Sequence, residues 1–462
     1  MAVWSTVHAT SVQNNFGRFD AEFYRPENLD AFRKITGRKN DLLGALSIDG
    51  YRVVYQNTRI LPTERVTAQS AKFLQANNIT ANGLSIDYDK IGYVTESDWL
   101  RYPKGRILRG ELLIEVKGQA EKVTIVPEDF PRRTLVSGSL FKLTINDLKI
   151  NPWYVFVYFS TKHGRLLRDR LKTNTLIGFV SKPQLYSIPI FIPELDEDQA
   201  NIAQIAKDAF RSISESERLY TQAQRLLEAE LGLDKLHFDK PVYYTAQFSN
   251  LELSRRLDSE HFYPQFDHLK AKSQKKIEFV PLSSVLNFCQ RGKQPIYTKD
   301  GLPVLNSKHI LENKITLEGN RKAKRSMIES LQIQYGDVLI NGTGRGTIGR
   351  TAPYLISDHQ SIPDNHVTIL RSPSLDPAYL SFYLNSLAGK LQVEKHQRGS
   401  SGQLELYPFD IRKFWVWVAP QSIQQEIRRL YDKATENAIQ AKQLLEQAKS
   451  RVEQLIEEAV QT

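Results

Sequence analysis

Between Asp196 and Leu231 the inward positions recur alternately four and three residues apart, through Ile202, Ala206, Ala209, Ile213, Ser216, Tyr220, Ala223, Leu227 and Glu230. This heptad seam lies in a stretch without Gly or Pro that stops at Gly232, and it predicts one long helix. Asp196 with Gln199 three residues on reads as its capping box. Adding 225 to each seam number gives Ile427, Tyr431, Ala434, Ala438, Ala441, Leu445, Ala448, Val452 and Leu455, again without Gly or Pro from Gln421 onward. Ser422 with Gln425 supplies the second capping box. A register shared over nine positions argues for duplication, not for two unrelated amphipathic helices. The matched seams predict helices packed on each other. Ile205, Leu219, Leu226, Leu430 and Leu444 add a second apolar row, broader than a helix pair covers, so partner helices are expected to complete a bundle.

The duplication reaches beyond the helices. Arg18-Phe19-Asp20-Ala21-Glu22-Phe23-Tyr24 returns as Arg256-Leu257-Asp258-Ser259-Glu260-His261-Phe262-Tyr263 with one inserted residue. Gly110 to Ile114 and Gly336 to Ile340 read as strands after turns. Asn151-Pro152 and Asp376-Pro377 each lead into an apolar, aromatic run that reads as a short buried helix entered at proline. Apolar strands Ile188 to Pro193 and Phe414 to Pro420 precede the long helices. The expected organisation is a globule at 1–195, a helix at 196–232, a second globule at 233–420 and a last helix at 421–462. The loops differ: Glu115-Val116-Lys117-Gly118 in one copy, Asn341-Gly342-Thr343-Gly344-Arg345-Gly346 in the other. A repeated frame with divergent loops suits two different reading heads.

Composition narrows the class. At 462 residues, 41% hydrophobic and mean hydropathy −0.41, the chain is long enough for two or three cored domains. The longest apolar run, Trp153 to Phe159, is too short to span a bilayer, and no secretory leader is read at the start. One cysteine, Cys289, excludes an internal disulfide and fits a reducing cytoplasm, and no Cys/His spacing suggests zinc. A net charge of +10 and pI near 9.3 favour a polyanionic partner, because bound Lys and Arg release counterions from phosphates.

Candidate chemistry is sparse. Gly344-Arg345-Gly346-Thr347-Ile348-Gly349 matches a dinucleotide fingerprint after a strand, yet Pro353 and Pro363 interrupt the stretch beyond it and no helical period appears there. A turn whose backbone, with Arg345 and Arg350, approaches a phosphate or a base edge fits better. Asp98 with Glu115 and Lys117 resembles the two acids and lysine of a magnesium-dependent nuclease. The second copy has Asn341 and Thr343 near these places, so the frame does not need them, and Glu-x-Lys is a common solvated strand end. Asn151-Pro152-Trp153-Tyr154 lacks the second proline of an amino-methyltransferase motif, and the phosphate-binding P-loop is absent. No catalytic residue is assigned.

With this architecture, the strand and glycine loop at Gly336 to Gly349, the run Ser400-Ser401-Gly402-Gln403, and the Pro193 and Pro420 entries with Gln199 and Gln425, the chain resembles the specificity subunit of type I restriction-modification enzymes. The resemblance covers nearly the whole chain. It implies an α+β fold of two pseudo-repeated target recognition domains separated by two long antiparallel coiled-coil helices. Each domain would read one half of a split, asymmetric double-stranded DNA target, and two methyltransferase subunits would dock on the helices. The chain itself would bind no cofactor: the partner methyltransferase supplies S-adenosylmethionine, and a partner restriction and translocase subunit uses ATP and magnesium. The first loop departs from the family's glycine-rich form.

The expected DNA-contacting residues in the second globule are Asn341, Thr343, Arg345 and Arg350, with Lys395, Arg398, Ser400, Ser401 and Gln403. In the first they are Arg106, Arg109, Lys117, Lys162, Arg165 and Lys172. Independently of family, the seam from Ile202 to Glu230 is about 29 residues, or roughly 43 Å at the helical rise. That is a little over one turn of DNA, so two heads held this far apart reach the same side of a duplex. The competing reading is a standalone magnesium-dependent nuclease using Asp98, Glu115 and Lys117.

Overall fold

Both long helices form where the heptads place them, Asp196–Leu231 and Gln421–Glu458. Gly232, at φ +69°, ends the first with a left-handed turn that glycine adopts without penalty. The computed structural model describes residues 5–8, 10, 12, 17–53, 58–173, 178–236, 243–265, 277–324, 331–357, 360–399 and 404–459.

Packing divides the chain differently from the element boundaries. One unit joins Met1–Ser216 to Glu436–Thr462, and the other is Glu217–Thr435. Each long helix contributes one portion to each core. In the first unit Ile202, Ala206, Ala209 and Phe210 share a core with Ala441, Leu445, Ala448 and Val452. In the second, Ala223 and Leu227 share one with Ile427, Leu430, Tyr431 and Ala434. Arg451 pairs with Asp198 at 2.8 Å in one unit and Tyr220 meets Thr435 at 3.1 Å in the other, which is an antiparallel order.

The second apolar row packs against the globules. Leu219 and Leu430 are buried inside their own unit, and Ile205, Leu226 and Leu444 pack half-buried against the same cores. A helix pair alone could not cover so broad a face, but each globule covers it from the side.

The cover is the aromatic helix. Pro152–Ser160, capped by Asn151, and Pro377–Asn385, capped by Asp376, are buried along nearly their whole lengths. Proline suits the first helical position because its missing N–H would be unpaired there anyway. Tyr154 and Tyr158 donate their hydroxyls to the carbonyls of Phe191 and Pro189, at 2.9 and 2.8 Å. Tyr379 and Tyr383 do the same to Trp417 and Trp415, at 2.5 and 3.0 Å. The carbonyls belong to short strands, Pro189–Phe191 paired with Asn40–Leu42 and Trp415–Trp417 paired with Phe279–Pro281. Buried hydroxyls thus find the acceptors that burial demands.

The glutamines at the helix starts have a different role from the expected capping box. Gln199 accepts the Asn151 N–H at 3.3 Å, and Gln424 accepts the Asp376 N–H at 2.9 Å. Gln424, not Gln425, is the duplicate of Gln199. Gln425 is exposed.

Each unit also holds a four-stranded antiparallel sheet. The first runs Ser47–Tyr51, Leu140–Ile145, Leu112–Glu115, Val123–Ile125. The second runs Phe288–Arg291, Val367–Arg371, Asp337–Asn341, Thr351–Tyr354. Each has a buried acid at the entry to the central strand. Glu111 pairs with Lys142 and accepts the Leu108 N–H, while Asp337 pairs with Arg371 and accepts the Gln334 N–H.

The repeated Arg-x-Asp is a clasp. Arg18 grips Asp20 and donates to the Leu171 and Lys172 carbonyls, both at 2.7 Å. Arg256 grips Asp258 and donates to those of His396 and Gln397, at 3.1 and 2.6 Å. A planar guanidinium carries enough donors for both tasks. Arg256→Ala should therefore destabilise the second unit by about 3 kcal/mol, since two carbonyls lose a charged donor. A urea melt with an unchanged midpoint would contradict this.

Beside the clasp, burial and the neighbouring His261 push the His396 imidazole down to about 3, with Asp410 partly opposing them. The unfolded chain protonates near the usual 6.5, so between the two values only unfolding takes up the proton. This stability is complete above pH 6.5 and is lost as pH falls. From pH 7 to pH 5 the loss from this group is about 2 kcal/mol. His396→Gln should flatten that part of the denaturant midpoint's pH profile; an unaltered slope would refute the assignment.

Candidate nucleic-acid interface

In the second unit the central strand ends at Asn341, and the chain turns through Gly342 to Arg350 into the strand Thr351–Tyr354. A strand follows the glycines, not a helix, so the dinucleotide reading falls. Gly344, Gly346 and Gly349 take φ of +93°, +81° and +81°, which side chains on L-residues resist. Gly349 has a second requirement, because a Cβ there would lie 2.7 Å from the Val393 side chain. Thr347 closes the loop by donating to the Thr343 carbonyl at 2.8 Å. Arg345 stands exposed at its tip, and Arg350 is half-buried at its end.

Two other segments hold this loop. The Gly342 N–H donates to the His366 carbonyl at 2.7 Å, and the Leu406 N–H donates to the Gly342 carbonyl at 2.8 Å. Arg398 and Glu405 exchange backbone hydrogen bonds at 2.7 and 2.8 Å, so the returning segment is itself a narrow ribbon. Thr343 meets His366 Nδ1 at 2.8 Å. Aromatic and basic groups gather on the ribbon: Tyr407 and Phe409 stack, Arg398 and Lys413 lie over Phe409, and Arg291 lies over Tyr407. Arg291, Tyr407, Phe409 and Lys413 were not among the residues expected from sequence. For Tyr407, Phe409 and Lys413 the sequence signal is the close grouping of two aromatic residues with Arg412 and Lys413, whereas nothing local in the sequence sets Arg291 apart.

The expected residues fare unequally. Asn341 lies inside the fold, donating to the Ser307 and Ile310 carbonyls at 3.1 and 3.2 Å, so it shapes the loop from beneath and is corrected as a surface reader. Arg398 is bound in a fork to buried Asp410 at 2.7 and 2.9 Å. Lys395, half-buried, lies in the helix Leu387–His396. Ser400, Ser401 and Gln403 lie outside the described residues.

In the first unit the same place is built from other residues. The Val116 N–H donates to the Ser139 carbonyl at 2.9 Å and the Val180 N–H donates to the Val116 carbonyl at 3.0 Å. Lys117 is exposed on this loop, in a short ladder with Gly178–Phe179. Lys172 is drawn to Asp169 at 2.8 Å. Arg109 is exposed at the turn before the central strand, while Arg106 stacks on Trp99 and donates to its carbonyl at 3.2 Å. Lys162 and Arg165 lie elsewhere, around a shallow cavity with Glu446 and Glu453 of the C-terminal helix, and do not join Lys117. The buried Arg168 and Arg170 are structural: Arg168 donates to the Glu121 and Phe159 carbonyls, and Arg170 sits between Phe23 and Phe32.

The acidic set behind the nuclease reading is otherwise engaged. Glu115 is buried and accepts the Glu121 and Lys122 N–H groups at 3.0 and 3.2 Å. Asp98 receives the Thr95 hydroxyl at 2.7 Å in the first turn of a short helix. Among the described residues no three His, Cys, Asp or Glu side chains are grouped to hold a metal, and no helix is long and apolar enough to cross a membrane.

No family model and no curated protein matches this chain. Among solved structures, the S subunit of the type I restriction-modification system from M. genitalium aligns with TM-score 0.42 at 13% identity, covering 91% of this chain and 95% of that one. The HsdS subunit from Thermoanaerobacter tengcongensis aligns with TM-score 0.29 at 15% identity, over 90% of this chain and 96% of that one. A structure concerned with complex assembly and conformational transition of the type I R-M system also aligns, with TM-score 0.29 at 15% identity, over 91% and 97%. Along about nine-tenths of its length the chain is thus similar to S subunits of type I restriction-modification systems.

Proposed function

We propose that this chain is the non-catalytic DNA-recognition subunit of a type I restriction-modification complex. One observation carries the reading: two units share a hydrogen-bonded frame, yet present different residues on equivalent loops, Lys117 on one and Arg345 on the other. A frame repeated with altered contact residues is what reading two unlike half-sites requires. The net charge of +10 supports a duplex DNA partner.

In this reading each unit reads one half of a bipartite, asymmetric target, and the long helices set the gap. Two adenine methyltransferase subunits dock on the helical surface that the globules leave uncovered and bring S-adenosylmethionine. A restriction subunit using ATP and magnesium joins the same assembly. The complex works in the cytoplasm, where its DNA is.

The test is to co-express the chain with its methyltransferase partner in cells lacking other adenine methylation and to map modified adenines across the genome. A split motif with a fixed gap, absent without this chain, is the expected result. Modification without a motif would refute the proposal. In the same assay Arg345→Ala should relax the half read by the second unit alone, with about 1–3 kcal/mol of discrimination lost at the affected base. Equal weakening at all sites would make Arg345 a phosphate contact. Binding of the purified complex to duplex DNA should also weaken steeply with added salt, in a log-log titration.

A further inference from the structure

Strand register identifies a pair of equivalent arginines that the sequence conceals. In the first sheet Ile114 lies opposite Phe141, and in the second Ile340 lies opposite Thr368. Arg291 is the residue on the outer strand opposite Thr368. On the first outer strand Tyr51 lies opposite Lys142, so the next residue, Arg52, reaches the level of Phe141. Arg52 and Arg291 therefore occupy the same point of the repeated sheet.

Their surroundings match in kind. Arg52 Nε donates to the Gly138 carbonyl at 2.9 Å, and Arg291 Nε donates to the Asn365 carbonyl at 2.5 Å. Gly138 and Asn365 are each three residues before the cross-strand level, Phe141 or Thr368. Each guanidinium also rests on a ring from the returning segment, Arg52 4.4 Å from the Phe179 centroid and Arg291 5.5 Å from that of Tyr407. Both lie beside the divergent loops that carry Lys117 and Arg345. One end of each group is thus held by a carbonyl and one face by an aromatic ring, which fixes the plane of the fork. Among the described residues the terminal nitrogens of Arg52 have no hydrogen-bond partner, whereas Arg291 commits Nη1 to Glu405 at 3.0 Å.

A guanidinium whose plane is fixed, with terminal N–H groups left over, matches the paired O6 and N7 acceptors of guanine in the major groove. We infer that Arg52 and Arg291 are equivalent base-reading residues, each contacting a guanine edge in the half-site read by its own unit. The inference rests on the DNA-recognition reading above and adds the residues on which that recognition turns. Their places at the ends of the outer strands, Arg291 as the last residue of Phe288–Arg291 and Arg52 directly after Ser47–Tyr51, serve this role better than loop tips do, because a rigid element holds a contact to closer tolerance. Glu405 differentiates the heads: it takes one donor from Arg291 and adds an acceptor beside it, so the second head can also meet a cytosine amino group.

The experiment is the methylation map with Arg52→Ala, Arg52→Lys, Arg291→Ala and Arg291→Lys chains. The expected result is that both Arg52 variants broaden one half of the motif and both Arg291 variants broaden the other. Preference for guanine at one position should fall roughly ten- to hundred-fold. Lysine keeps the charge but not the fork, so it should broaden the motif as alanine does. Broadening itself requires a folded, docked chain, which separates it from misfolding. Unchanged motifs, broadening of the same half by both residues, or loss at every site in the alanine and lysine variants alike would overturn the assignment. A wild-type chain that directs no motif would overturn the function reading itself.

Discussion

Two paired helical stretches with small side chains along their seam expose a wide apolar flank, and the need to bury that flank shapes both units. The seam is rich in alanine, so the helices touch through little bulk and Phe210, Leu219 and Leu430 are left to find cover. The cover is an aromatic helix in each unit, Pro152–Ser160 or Pro377–Asn385. Burying one large aliphatic or aromatic side chain is worth about 1.5–3 kcal/mol, so a run of them ties the globule firmly to its helices. This is why the compact units divide within the helices and not at their ends.

The aromatic helix brings a second demand, and the answer to it is repeated. Its tyrosine hydroxyls cannot be buried unpaired, and each points at a carbonyl of the strand leading into a long helix. The backbone N–H at its capping residue is accepted by a glutamine on that long helix, Gln199 or Gln424. The arginine clasp closes the far end of the following helical segment. Residues at these points are held by unpaired-group penalties of about 1–3 kcal/mol each. The exposed side chains on the loops beside Arg52 and Arg291, Lys117 and Arg345 among them, carry no such penalty, because they face water. Divergence there leaves the frame's hydrogen bonds intact, so these side chains can change without disturbing the fold.

Electrostatics sorts the basic residues into two populations. Arg18, Arg168, Arg170 and Arg256 direct their donors or their faces to carbonyls, carboxylates or rings within the fold. Burial depresses Arg170 to about 10, still protonated at neutral pH, so it remains a cation packed between aromatic faces. The other population, including Lys117, Arg109 and Arg345, is exposed to solvent. Net charge alone therefore overstates the basic surface.

Features governed by period and local chemistry are legible along the unfolded chain. Heptads and a terminal glycine place the long helices, proline after Asn151 or Asp376 starts the aromatic helices, and a repeated register reveals the duplication. These signals work because helix period, capping and turn strain depend on neighbours a few residues away. Which polar residues face inward is settled only by folding. Asn341 and Glu115 look like surface chemistry in a linear reading, but carbonyls and N–H groups that meet them in the folded chain turn both into supports. The equivalence of Arg52 and Arg291 is hidden for the same reason: they align through cross-strand register, a relation between residues about ninety apart in the first sheet and nearly eighty in the second, which no local pattern encodes.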